Sequence, residues 1–382
     1  MKIALLAHNL HSAGGLSVGR SILSTFPVVA PQHEYLLTVP QNREYELFEN
    51  HSNIRILELP VGSLKKRYAF EQSLLKELKQ WNCDWAWILG NNLLLLPKNI
   101  RMSLLLHSSF YLNYPLKHWR ISRISRFYAR RKIEQLFVRR TLWKSHRVYG
   151  QTNVVCQRIH ETFRYPKDQI DVCHMGTASE MLQRDTLDSK SMAHCKSLDS
   201  KFKLLYVSAY NPHKNFENIV QLFAKFKEEL RDVVLFLTFS PEQNQWTQRL
   251  HKKVIDHGLD SSIVFLGSIP HEEISQVYAA ADALFFPTLL ETVGLGHLEA
   301  MAYGLPVIAS DLDFAHEVCG DAACFVDPFS LESMKNGILE VKDNEQLRYD
   351  LAKKGKIQLE RNSMTWEDSL KSVMDQEGIP YL

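Results

Sequence analysis

Apolar residues along this chain gather into short runs, and between the runs they recur every three or four positions. Lys2–Ala7, Glu34–Val39, Asn53–Leu59, Trp85–Leu89, Arg101–His107, Val148–Gln151 and Gln169–His174 have the length and composition of buried strands. Helical spacing links them over Leu16–Phe26, Arg67–Trp81 and Val154–Phe163, with a short helix expected at Gln41–Asn50. Polar, aperiodic sequence from Thr177 to Lys201 interrupts the rhythm and reads as a linker. The pattern then restarts. Strands are expected at Phe202–Ser208, Val233–Phe239, Ile263–Leu266, Ala283–Phe286, Val307–Ser310 and Ala323–Val326. Helices are expected at Phe216–Leu230, Gly294–Tyr303, Leu331–Val341, Asn344–Glu360 and Trp366–Asp375. Strands alternating with helices imply parallel sheets, so the α/β chain is expected to form two doubly wound domains facing across a cleft. The boundaries are 1–176 and 202–365, with 177–201 as linker.

Length and composition agree with this plan. At 382 residues the chain exceeds one typical core, and 45% hydrophobic with 23% charged residues is ordinary for a globular protein. Six scattered cysteines form no CxxC pair, so free thiols are expected, with no disulfide and no structural zinc. The apolar stretch before His8 is too short for a signal peptide, and no run approaches the roughly 18 apolar residues of a membrane span. A cytoplasmic location follows as an expectation.

Charge is uneven. Lys117–Arg147 holds eleven Lys or Arg against one acid, Glu134, interleaved with Trp119, Phe127, Phe137, Trp143 and aliphatic residues. This is expected to form one or two basic amphipathic helices that dock on an anionic membrane surface. A merely solvated face is the competing reading. No nucleic-acid partner is expected, because nothing else resembles a nucleic-acid module.

Candidate chemistry sits at loops that follow strands. Gly14-Gly15 falls in the expected loop after the first strand, and Lys214 in AYNPHKN after the first strand of the second half. Lys214 offers a point charge to phosphate oxygens; an exposed lysine beside a helix capped by Asn215 is the alternative. In ETVGLGHLEAMAYGLPVIASD, Glu291 and Glu299 bracket Gly294 and Gly296 at a helix start, where backbone N–H groups favour an anion. The pair also reads as a possible acid and base. No metal or other cofactor is expected. No GxGxxG follows either opening strand, which disfavours a dehydrogenase.

This segment resembles the E-x7-E signature of retaining GT-B glycosyltransferases of family 4, matching at Glu291, Gly294, Glu299, Ala300, Met301, Ala302, Gly304, Pro306 and Val307. Weaker likeness covers KIALLAHNLHSAGG, IDVCHMG, the lead-in SIVFLGSIPHEEISQVYAAADALFFPTLLE, and SMTWEDSLKSV. In the family the last is a closing helix that crosses back onto the first domain, here about 366–382. The resemblance implies a GT-B fold with an acceptor-binding first domain and a nucleotide-sugar-binding second domain. It implies transfer of a sugar from a UDP- or GDP-sugar to a hydroxyl of a carbohydrate or lipid-linked acceptor, in bacterial surface polysaccharide synthesis. It assigns Glu299 to the ribose hydroxyls, and Glu291 with the backbone of Val293, Gly294 and Leu295 to the donor sugar and diphosphate. Lys214 would neutralise the leaving diphosphate, Gly14 and Gly15 would approach the phosphates or shape the acceptor entrance, and His107 would lie near the donor sugar. A satisfied core histidine is an equal reading of His107. Three departures stand out: Ala209 where the family often has Arg, Val293 for Phe, and His297 for a frequent Pro. A nucleotide-sugar epimerase or hydrolase of the same fold, and a nucleotide-sugar-binding protein without catalysis, remain the alternatives.

Overall fold

The structure is a computed structural model that describes residues 1–10, 13–41, 52–60, 63–112, 125–176, 201–270, 273–362 and 364–382. The chain divides into two compact units, Met1–Gly176 with Met364–Leu382, and Thr177–Ser363. The expected short helix at 41–50 and the expected linker lie almost wholly outside the described residues.

The first unit is built on a seven-stranded sheet. Its strands are β1 (Lys2–Leu6), β2 (Glu34–Pro40), β3 (Ile54–Leu59), β4 (Trp85–Ile88), β5 (Arg101–Leu105), β6 (Arg147–Gly150) and β7 (Ile170–Val172). All pair in parallel, in the order β3-β2-β1-β4-β5-β6-β7. The four residues of β4 and the last four of β1 are buried, as expected of strands covered on both faces by helices. The order reverses between β1 and β4, and ligands approach open sheets of this kind at the carboxyl ends beside that reversal.

The second unit has six parallel strands, β8 (Phe202–Tyr206), β9 (Val233–Leu237), β10 (Ile263–Phe265), β11 (Ala283–Phe286), β12 (Val307–Ser310) and β13 (Ala323–Val326). Their order is β10-β9-β8-β11-β12-β13, so the reversal lies between β8 and β11. These two strands pair Leu204 with Ala283 and Leu205 with Leu284. Lys214 follows one strand and Glu291 the other.

The terminal helix Trp366–Glu377 belongs to the first unit. Glu377 on its last turn is fully buried and accepts from Arg101 Nη2 at 2.9 Å, Tyr149 Oη at 2.8 Å and Ser103 Oγ. One carboxylate thus ties the last helix to β5 and β6.

Several expectations are corrected. Gly14 and Gly15 do not form a loop: they stand in the first turn of the helix Ala13–Val29. Strand β5 ends at Leu105, leaving His107 two residues beyond it. Helices at Gln245–Asp256, Ile274–Ala279 and Asp313–Cys319 went unpredicted. The described part of the basic segment is one helix, Ser125–Lys144, with Arg147 opening β6. Where its side chains are described, the helix is apolar on two sides. Val138 and Leu142 are in the core, while Ile133, Leu136, Phe137 and Trp143 are exposed.

Candidate functional site

The site in the second unit begins with how its loops end. Pro287 has no N–H for the ladder and closes β11. The Pro212–Lys214 turn carries the chain out of β8, and Asn215 then takes a left-handed conformation, φ 67°. Asn215 heads the next helix without a side-chain capping bond. Its amide instead donates to the carbonyls of Pro287 at 3.0 Å and Pro328 at 2.8 Å. The carbonyl of His213 accepts from the backbone of Leu289 at 2.8 Å and from Thr288 Oγ1 at 3.2 Å. Tyr206 Oη donates to the carbonyl of Lys214 at 2.8 Å. The loop after β8 is therefore stitched to the loop after β11, which fixes Lys214 against Glu291.

Lys214 Nζ meets Glu291 Oε1 at 2.6 Å, each side chain 13% exposed. Thr288 Oγ1 donates to the same carboxylate oxygen at 2.9 Å, and the ammonium lies 5.0 Å from the Phe286 ring centroid. The pair is shielded yet not sealed, so a ligand anion has access to the cation.

Beyond Glu291 the chain turns at Gly294, φ 74°, a region that side-chain-bearing residues enter only with strain. Gly294 caps the helix Leu295–Ala302, whose first N–H groups lack intrahelical acceptors. The helix closes with Leu305 N–H to the Ala300 carbonyl at 2.9 Å and Gly304 N–H to the Met301 carbonyl at 3.0 Å, a Schellman closure. Gly296 is not demanded by space, because a Cβ there would meet Phe286 at an ordinary 3.5 Å. Val293 is buried and Leu295 half-buried.

Glu299 stands on the same helix and accepts from Tyr278 Oη. Tyr278 is fully buried and stacks on Tyr303 at 5.0 Å, with the rings 12° apart. Burial, reinforced by the Glu299 charge, pushes the Tyr278 hydroxyl well above its ordinary range, so it stays a donor. Glu299 is thereby oriented by a buried partner. Ala209 is exposed and brings no charge.

In the first unit, among the described residues, buried polar atoms without a hydrogen-bond partner collect after β1, β5 and β6. Asn9 donates its amide to the carbonyls of Gly90 at 2.6 Å and Asn92 at 2.8 Å, leaving Oδ1 buried without a partner. A Cβ on Gly90 would coincide with that side chain, 1.3 Å from Oδ1, so only glycine fits there. Gln151 Nε2 donates to Met175 Sδ at 3.0 Å and lies 3.4 Å from His107 Nδ1; Gln151 Oε1 and His107 Nε2 have no partner. Burial pushes the His107 imidazole down to about 4, against the Leu89 carbonyl, so the ring is neutral near pH 7. Asn91 Oδ1 holds the backbone N–H groups of His107 at 2.9 Å and Ser108 at 3.0 Å.

Beneath this edge, Glu71 is 1% exposed and accepts from Arg67 at 2.7 Å and from the backbone of Leu94 and Leu95 at 2.7 and 2.8 Å, with His8 at 3.4 Å. Burial alone would raise this carboxyl, but His8, the Arg67 charge and the Leu95 N–H together hold it below its ordinary range.

The structure thus brings Lys214, Glu291, Gly294 and Leu295 to one strand reversal, with Val293 buried behind them and Glu299 one turn along the helix. Gly14, Gly15 and His107 belong to the other unit. Sequence reasoning did not find Thr288, Tyr278, Asn9 or Gln151. Gln151 closes an expected strand and Tyr278 lies in a helix that was not expected, so neither carries a local signal.

Residues 191–358 match the model of the family described as Glycosyl transferases group 1. The O-antigen chain mannosyltransferase B of Escherichia coli is 27% identical over 213 residues, 54% of this chain and 53% of that protein. The O-antigen chain mannosyltransferase RfbU of Salmonella typhimurium is 29% identical over 143 residues, 37% of this chain and 38% of that protein. The chain therefore spans about half the length of these curated relatives, or less. HepE of Anabaena, solved in complex with UDP-glucose, superposes with a TM-score of 0.74 at 14% identity, covering 99% of each chain. The two parallel-sheet α/β units match the fold of GT-B glycosyltransferases, and residues 191–358 carry a Glycosyl transferases group 1 domain.

Proposed function

We propose that the chain is a retaining, metal-independent glycosyltransferase of family 4 that moves a sugar from a UDP- or GDP-sugar to a hydroxyl acceptor. The observation that carries this reading is the shielded Lys214–Glu291 pair beside the glycine-opened helix at the strand reversal of the second unit. The diphosphate of the donor meets Lys214 and the backbone N–H groups at Gly294–Leu295, while Glu299, held by Tyr278, accepts from ribose hydroxyls. As the bond from the anomeric carbon to the phosphate oxygen breaks, its electron pair stays with the diphosphate, where Lys214 offsets the charge. The acceptor oxygen bonds to the anomeric carbon on the same face and passes its proton to the departing phosphate oxygen. Neutral hydroxyl-reading groups at Asn9, Gln151 and His107 support an acceptor role for the first unit. Two relatives named as mannosyltransferases make mannose the first sugar to test, with a lipid-linked glycan of a bacterial surface polysaccharide as acceptor.

Lys214→Ala and Glu299→Ala should each lower nucleotide-sugar turnover at least about a hundredfold while leaving the urea midpoint near that of the parent. Full activity in either removes the assignment. The exposed Ala209 favours a second reading, a nucleotide-sugar-binding protein without catalysis. Tight binding with no turnover across a panel of acceptors would establish it.

We further propose a peripheral position on the cytoplasmic face of the membrane, through the helix Ser125–Lys144. Its exposed Ile133, Leu136, Phe137 and Trp143 stand among exposed Lys132, Arg139, Arg140 and Lys144. Among the described residues no helix is long and apolar enough to cross a membrane.

A further inference from the structure

His297 has no exposed ring surface, and among the described residues neither ring nitrogen makes a well-formed hydrogen bond, although the Gly294 and Val293 carbonyls lie beside the ring. Buried polar groups in this condition are rare and call for a cause. The ring stands edge-on to Phe286, centroids 4.9 Å apart at 82°, while Lys214 Nζ lies over the same ring at 5.0 Å. A Cβ built on Gly294 would fall 2.6 Å from His297 Nδ1 and 3.4 Å from Glu291 Cγ. The imidazole and the Glu291 side chain therefore approach one empty spot from two sides, and only a glycine leaves that spot open. Burial, helped by the Lys214 charge and opposed by the Gly294 and Val293 carbonyls, pushes the imidazole down to about 4. It is neutral near pH 7, with one N–H to give and one lone pair. A leucine would fill the same space with no unpaired polar atom, so packing alone does not account for a histidine.

We propose that His297 is a positioning residue that takes over Glu291 when an anionic ligand draws Lys214 away. Lys214 and Thr288 hold Glu291 Oε1. Once Lys214 turns to a diphosphate, Glu291 loses its cation. The imidazole N–H then donates to the carboxylate across the gap at Gly294, so Glu291 keeps its place at the sugar and does not follow the lysine. No proton changes owner in this exchange, and one hydrogen bond replaces another. The inference rests on the reading of Lys214 as the counter-charge of the donor diphosphate.

The test combines UDP and GDP as binding probes with His297→Leu and His297→Gln in the full chain. Histidine ring nitrogens are followed by NMR, nucleotide binding by calorimetry, and turnover by nucleotide-sugar assay. The His297 ring signals should move when the bound nucleotide saturates. His297→Leu should keep or raise the urea midpoint while kcat falls about ten- to a hundredfold, the range for a hydrogen bond to a charged group. His297→Gln, which retains an N–H donor, should recover most of that loss. A ring signal unmoved by bound nucleotide overturns the inference. So does a His297→Leu protein with parental kcat, one that loses stability and activity together, or a failure of glutamine to restore kcat. If neither UDP nor GDP binds the parent protein, the functional reading itself falls and takes this inference with it.

Discussion

Gly294 and His297 show how tightly single residues are constrained in the second unit. A side chain at Gly294 would be strained at φ 74° and would also press its Cβ to 2.6 Å from the His297 ring. Gly294→Ala should therefore cost about 1–3 kcal/mol, read from the urea midpoint, and lower donor affinity as the helix start shifts. His297 gives stability a definite acid limb. The unfolded chain protonates this histidine near its ordinary value of 6.5, while the folded chain resists until about 4. Between those values the unfolded state binds more protons, so stability falls as pH drops through that window and is flat above it. The slope at full effect is about 1.4 kcal/mol per pH unit. In the second unit, His297→Leu should flatten it, and an unchanged slope would show that the ring is not held neutral. His107 should behave the same way in the first unit, where burial pushes it equally low.

At the scale of elements, the terminal helix is anchored by one buried carboxylate. Glu377→Ala removes the common partner of Arg101, Ser103 and Tyr149 and should destabilise the first unit by about 2–3 kcal/mol. Arg101 is itself 40% exposed, which keeps the figure below that of a sealed ion pair. Protease sensitivity near residue 364 should rise in parallel. Elements of this kind also show what the amino-acid order reveals. The buried strands of the second unit were legible almost to the residue, because parallel strands covered on both faces are continuous apolar runs bounded by breakers such as Pro287 and Pro306. Short or weakly amphipathic helices were not. In Gln245–Asp256 the buried apolar positions are only Leu250 and Val254, and the mark of its start is the Asn244–Thr247 capping box. The double glycine at 14–15 read as a loop because glycine lowers helix propensity, yet the residues open a helix whose tertiary packing outweighs that preference. At the site, Lys214 stood out by its place after a strand, and Glu291 and Glu299 by their resemblance to the E-x7-E signature. Tyr278 and Thr288 did not, since they act through contacts that only the sheet brings together.

For the molecule as a whole, two units with separate cores imply separate responses to ligand and surface. Anionic liposomes should retain the protein at low salt and release it as salt rises, because the lysines and arginines of the Ser125–Lys144 helix act within a Debye length of the lipid. Leu136→Ser with Trp143→Ser should weaken retention even at low salt; retention indifferent to both changes would remove the membrane proposal. Nucleotide-sugar binding, by contrast, should stabilise the second unit by mass action. The most direct measurement is sugar transfer by the purified full chain, offered UDP-glucose or GDP-mannose with a membrane extract of bacterial lipid-linked glycans. Labelled glycolipid should form with one of the two donors, in step with release of nucleoside diphosphate, and Lys214→Ala should give neither product. Labelled glycolipid formed equally well by Lys214→Ala, or donor bound tightly but never consumed, would contradict the proposed function.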